Sequence, residues 1–141
     1  MNTTANPGTI LVVEDNEDNR VIYGTMLRAH GFVVQEADGG EVAIRMAKET
    51  PPNLVLMDIG LPNMDGVEAT RLLKQDPATA EIPVLALTAH ALLAERQRAV
   101  QAGVDGYLVK PIGSSALVRE VQRALQSARQ RHNKSDSTTE P

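Results

Sequence analysis

The chain has 141 residues, a length that suits one domain able to bury a core without disulfides or metal staples. It contains no cysteine, which excludes disulfide frameworks, thiolate zinc sites and cysteine nucleophiles. The net charge of −4 argues against nucleic-acid binding through overall charge, no apolar run nears the roughly 18 residues of a membrane span, and residues 1–8 lack a signal-peptide core, so a cytoplasmic protein is expected.

In chain order, residues 9–13 (TILVV) form a β-branched run and predict the first strand. Asn16 is a good N-cap for a helix whose Ile22, Met26 and Ala29 fall at i, i+4 and i+7, and Gly31 closes it as the C′ residue. Residues 32–36 (FVVQE) read as the second strand. Gly39-Gly40 punctuates, Val42, Ala43, Met46 and Ala47 share one helical face, and Pro51-Pro52 stops that helix. Residues 53–57 are the third strand and 65–74 a shorter third helix. Residues 82–87 (IPVLAL) predict the fourth strand, 91–101 the fourth helix and 106–109 (GYLV) the fifth strand. Leu117, Val121, Ala124, Leu125 and Ala128 mark the apolar face of a fifth helix. Five β–α units with near-continuous apolar strands predict a parallel sheet covered by helices on both faces. The expected organisation is a flexible N-terminus over 1–8, one domain over 9–129 and a disordered tail over 130–141 (QRHNKSDSTTEP), which lacks apolar periodicity. Arg129, Arg131, His132 and Lys134 are read first as a solvated helix end whose cations suit the C-terminal dipole, and second as a contact for something acidic.

The polar residues gather where strands end. The first strand ends in Glu14-Asp15, the third (LVLMDIGLP) in Asp58, the fourth in Thr88 and the fifth in Lys110-Pro111. Parallel strands point one way, so these residues share one rim, where ligands bind in open α/β sheets. Singly, the acids could start a helix, Thr88 could be an N-cap and Lys110 a surface lysine. Asp58 is harder to dismiss, because a charge directly after a buried strand is costly unless compensated. Three close carboxylates raise one another's pKa values, and a divalent cation removes the conflict. Magnesium fits, with Asp15 and Asp58 as candidate direct ligands, Glu14 acting directly or through water, and the Gly60 carbonyl within backbone reach. Zinc does not fit, since His30, His90 and His132 fall in no ligand-like spacing. A carboxylate nucleophile, a metal, a hydroxyl and a lysine form a set for phosphoryl transfer through an acyl phosphate.

The segments ILVVEDNEDNR, LVLMDIGLPNMDG, VLALTAHA and GYLVKPI, in this order and spacing, resemble the receiver domain of two-component response regulators, over about residues 9–128. The resemblance implies a flavodoxin-like fold with strand order 2-1-3-4-5. It implies that Asp58 takes a phosphoryl group from a histidine kinase or phosphotransfer protein, with Glu14 and Asp15 supporting Mg2+, for which Mn2+ can substitute. It further implies that Lys110 contacts the phosphoryl group and precedes Pro111 through a cis peptide bond. By the same resemblance, Thr88 and Tyr107 are expected to form a switch pair that alters the face of helix 4, strand 5 and helix 5, the expected contact for a protein effector. Leu92 and Leu93 either extend that surface or belong to the core. Gly60 and His90 occupy positions that tune dephosphorylation, with Gly60 leaving room for water and His90 screening it. Pro62 is read as a constraint on the loop leaving Asp58. A stand-alone response regulator is expected, since the chain ends soon after helix 5 and begins with a polar stretch at Met1. It is expected as a monomer or phosphorylation-dependent dimer, without direct DNA or membrane binding and without turnover of an external substrate. The alternatives are a receiver domain of a hybrid histidine kinase and a magnesium-dependent aspartyl-phosphate phosphatase. The phosphatase is disfavoured because such enzymes usually carry a second carboxylate where Gly60 stands. A flavin binder of the same fold is disfavoured by EDNEDN after strand 1, which would repel a phosphate lacking a metal.

Overall fold

The computed structural model describes residues 7–60, 65–90 and 92–138, with side chains to residue 131. The expectations for residues 1–6, Pro62, the start of helix 4 at Ala91, residues 139–141 and the side chains of His132 and Lys134 lie outside these. Strands β1 (Thr9–Val13), β2 (Val33–Ala37), β3 (Leu54–Asp58), β4 (Val84–Thr88) and β5 (Gly106–Val109) alternate with helices α1 (Glu17–Arg28), α2 (Gly40–Glu49), α3 (Gly66–Gln75), α4 (Leu93–Ala102) and α5 (Ser114–Thr138). The strands form one parallel sheet in the order β2-β1-β3-β4-β5.

Successive strand residues face opposite sides, so a strand covered on both sides must be apolar throughout. Ile10, Val12, Leu54, Leu56, Leu85 and Leu87 face α1 and α5, meeting Tyr23, Leu27, Leu117 and Val121. Leu11, Val13, Val55, Met57 and Val84 face the other way, onto Ala43 and Ala47 of α2 and Ala69 and Leu73 of α3. Ala86 packs beside Ala99 and Ala102 of α4. The small residues of α2 and α4 let those helices approach the sheet, while the Leu-rich and aromatic bulk lies on the α1/α5 side. Among the described residues, no helix is long and apolar enough to cross a membrane.

Asn16 caps α1, its side chain accepting from the Asn19 N–H at 2.9 Å. The expected apolar stripe of α1 is corrected in part: Met26 packs against the core, but Ile22 and Ala29 do not. Tyr23 and Leu27 are the buried pair, whereas Ile22 is 48% exposed and Ala29 is exposed. The Tyr23–Leu27 row has the larger burial payload, and Gly24 beside it lets the helix settle near Val34 of β2. Gly31 closes the helix as expected: at φ 91° its N–H donates to Arg28 O at 3.0 Å while the Phe32 N–H reaches Leu27 O at 3.2 Å. These are the paired bonds of a Schellman closure, which favours a residue free to adopt positive φ.

At the C-terminal end, the backbone of α5 continues as helix to Thr138, past the expected domain limit at residue 129. No glycine or proline interrupts Ser114–Thr138, so the helical ladder persists after the apolar repeat ends at Ala128. Arg129 and Arg131 have internal partners, the Pro7 carbonyl at 3.5 Å and the Asp105 carboxylate at 3.6 Å.

Candidate functional site

The register carries the strand ends to one rim. Val13 lies level with Ala37 and Met57, Asp58 with Leu87, and Thr88 with Val109. Glu14 leaves β1 still hydrogen-bonded to the sheet, its N–H donating to Ala37 O at 3.1 Å. It is 1% exposed, Asp58 at the end of β3 is 6% exposed, and Asp15 faces solvent. One carboxylate oxygen from each of Glu14, Asp15 and Asp58 lies within 4.8 Å of the others. Lys110, just beyond β5, is drawn in by its N–H bond to Thr88 O at 2.7 Å. Its ammonium donates to Glu14 Oε1 at 2.8 Å and Asp58 Oδ2 at 3.2 Å. The second Asp58 oxygen, Oδ1, accepts the Gly60 N–H at 2.9 Å. The Lys110–Pro111 peptide is cis, as expected.

The charges do not balance, since three carboxylates face one ammonium. Burial raises the Glu14 pKa to about 7, with Lys110 opposing and Asp58 adding to the rise. Burial works against the Lys110 ammonium, but Glu14 and Asp58 outweigh it and hold its pKa above the ordinary value. The Tyr23 hydroxyl, beneath the site on α1, is also raised, by burial first. Among the described residues, this buried carboxylate resists ionising near neutral pH and stands beside two more carboxylates and opposite only the Lys110 ammonium, so the site is short of positive charge. The donor set is all oxygen, which suits a hard divalent ion such as magnesium.

Thr88 is at the rim and 3% exposed, but its hydroxyl is engaged away from the acids. It lies 2.7 Å from Glu95 Oε1 and 2.8 Å from His90 O, and accepts the His90 N–H at 3.1 Å. Tyr107 is half-buried, its hydroxyl 3.4 Å from His90 O and 3.5 Å from Glu95 Oε1, with the Arg96 guanidinium 5.6 Å from the ring centre. His90 itself is exposed and joins this network through its backbone. Leu92 and Leu93 are 61% and 70% exposed, so they are surface rather than core.

Three supports escaped the sequence reading. Arg20 Nη1 donates to the Glu14 carbonyl at 2.9 Å, and Glu36 holds the same guanidinium at 3.1 Å. Gly66 opens α3 so close to the end of β3 that an added Cβ would sit 2.6 Å from the Ile59 Cα. Its signal was present, a glycine after the N-cap Asp65, which accepts the Val67 N–H at 2.8 Å. Arg20 had none, because its partner is a main-chain carbonyl six residues earlier. Glu95 is an acid in the first turn of α4, which ordinarily signals no more than a favourable helix dipole.

The model of the response regulator receiver domain family matches residues 10–122. The polar-differentiation response regulator DivK of Brucella anthropi is 35% identical over 122 residues, which cover 86% of this chain and 99% of that protein. The signal transduction histidine-protein kinase BarA of Escherichia coli K12 is 38% identical over 109 residues, 77% of this chain but 12% of the kinase. Among solved structures, the receiver domain of sensor histidine kinase PA1611 from Pseudomonas aeruginosa, with magnesium coordinated in its active-site cleft, is 38% identical. It superposes with a TM-score of 0.80 over 86% of this chain and 99% of that one. A response regulator from Chloroflexus aurantiacus is 31% identical with a TM-score of 0.82, over 85% of this chain and 98% of that one. A match across most of the fold, shared with a small regulator and with part of a kinase, leaves one assignment: the chain belongs to the response regulator receiver domain family.

Proposed function

We propose that this protein is a phosphorylation switch in which Asp58 is the phosphoacceptor. The observation that carries the reading is the arrangement of Glu14, Asp15 and Asp58 around a shared position, with Lys110 bonded to both buried acids. In the transfer, an Asp58 carboxylate oxygen forms a bond to phosphorus. The donor's phosphorus–nitrogen bond breaks, and its electron pair leaves with the imidazole of a histidine kinase or phosphotransfer protein. Lys110 offsets charge on the transferred oxygens and Thr88 supplies a hydrogen bond to one of them. Glu14, Asp15, Asp58 and the Gly60 carbonyl would hold Mg2+, or Mn2+, which would supply the missing positive charge. Hydrolysis resets the switch: water adds to phosphorus, the bond to Asp58 breaks, and the carboxylate and inorganic phosphate are released. Among the described residues, a Cβ added at Gly60 would meet only Asp58 Oδ1, at 3.6 Å, which supports reading Gly60 as leaving room for water beside Asp58. The His90 side chain screens that space.

Thr88 and Tyr107 share His90 O and Glu95 as partners, so moving one hydroxyl changes the bonding of the other. This coupling would carry the signal to the face of α4, β5 and α5, where Leu92, Leu93, Val100 and Val109 are exposed and a protein effector would bind. The role is that of a switch rather than an enzyme turning over an external substrate. Treatment with acetyl phosphate should place one base-labile phosphate on the wild type in Mg2+ and none in a chelator or on Asp58→Asn. Equal labelling of the wild type and Asp58→Asn would remove Asp58 from this role.

A further inference from the structure

The Thr88 hydroxyl is fully committed, and the group that commits it comes from another element. A hydroxyl has one hydrogen to give. Thr88 Oγ1 already accepts the His90 N–H at 3.1 Å, and Glu95 Oε1 stands 2.7 Å away, closer than the His90 carbonyl at 2.8 Å. An ionised carboxylate is the stronger acceptor of the two. Glu95 is the third residue of α4, where a glutamate usually reaches back to the cap. Its bonds run instead to Thr88 and, at 3.5 Å, to the Tyr107 hydroxyl. We propose that Glu95 is a positioning residue for phosphoryl acceptance, holding the hydrogen of the Thr88 hydroxyl that a phosphoryl group on Asp58 must win.

This inference rests on the reading of Asp58 as phosphoacceptor and adds a competition to it. A phosphoryl oxygen and the Glu95 carboxylate cannot share that one hydrogen. Glu95 therefore lowers the occupancy of the phosphoryl-bound arrangement, because a ligand that binds one of two states works against whatever stabilises the other. When Thr88 turns, Glu95 loses its closest partner, and Tyr107 is the hydroxyl left within its reach.

Beryllofluoride with Mg2+, a phosphoryl mimic for an aspartate, is the probe. Its affinity can be read by NMR at the Gly60 amide, which donates to Asp58 Oδ1. Glu95→Ala should tighten binding about three- to tenfold, the scale of one hydrogen bond to a charged group less the remaining bond to the His90 carbonyl. Glu95→Gln, which keeps a neutral acceptor, should fall between wild type and Glu95→Ala and carries the test alone should the alanine variant not fold. With Thr88→Val in the background, replacing Glu95 should change nothing, because the contested hydrogen is gone. Unchanged affinity in both Glu95 variants, or the same change with Thr88→Val present, would overturn the proposal. Equal binding by wild type and Asp58→Asn would instead overturn the phosphoacceptor reading beneath it.

Discussion

Gly66 has no polar side chain and touches no proton, yet it sets where Asp58 can stand. It lies against the main chain that joins Asp58 to Ile59, and the room it leaves is smaller than a methyl group. Neither neighbour can yield cheaply, since both are backbone. Gly66→Ala should therefore destabilise the fold by about 1–3 kcal/mol, the usual range for overpacking, and should slow labelling of Asp58 by acetyl phosphate. Urea unfolding and a labelling time course test the two effects. Asp58 itself was legible in the sequence, because a charge ending an all-apolar run calls for a reason. Glu14 and Lys110 were legible as companions because parallel strands bring their ends level. The engagement of Thr88 by Glu95 was not legible, since it depends on how far α4 leans toward the rim.

At the scale of elements, α1 separates pattern from packing. Ile22, Met26 and Ala29 form a valid helical stripe, and so do Tyr23 and Leu27 one position further round. Periodicity alone cannot choose between them; the volume under the sheet chose the larger pair. Leu27→Ala should cost about 2–5 kcal/mol, whereas Ile22→Ala should stay within about 0.5 kcal/mol of wild type. Chemical denaturation of the two variants tests the placement, and the reverse ranking would contradict it. The other face of α1 is tied to β2 by ion pairs. Glu36 accepts from Arg28 at 3.0 Å and from Arg20 at 3.1 Å, and these bonds, led by Arg28, hold its carboxyl below the ordinary range. A lowered folded pKa gives stability that is present above the unfolded value near 4.5 and lost as pH falls through the folded value. The Glu36 side chain is 31% exposed, so screening keeps the effect under about 1 kcal/mol. Glu36→Gln should melt lower than wild type at neutral pH, and the gap should close in acid.

For the whole molecule, the sheet order and the two-sided core follow from strands that are apolar on both faces. That much of the fold was legible, because burial of a central strand leaves no room for polar alternation. The end of α5 was harder to read, because a helix without an apolar repeat differs from an irregular segment only by backbone propensity, which is weak. At this scale the architecture brings four strand ends, separated along the chain by up to 96 residues between Glu14 and Lys110, into a single charge-deficient site. The central claim is that this site makes Asp58 an acyl phosphate. Borohydride reduces an aspartyl phosphate to homoserine, so peptide mass spectrometry after treatment with acetyl phosphate and Mg2+ reads the modified position directly. Homoserine is expected at position 58, dependent on Mg2+. Homoserine at another acid, or phosphorylated protein with Asp58 intact, would contradict it.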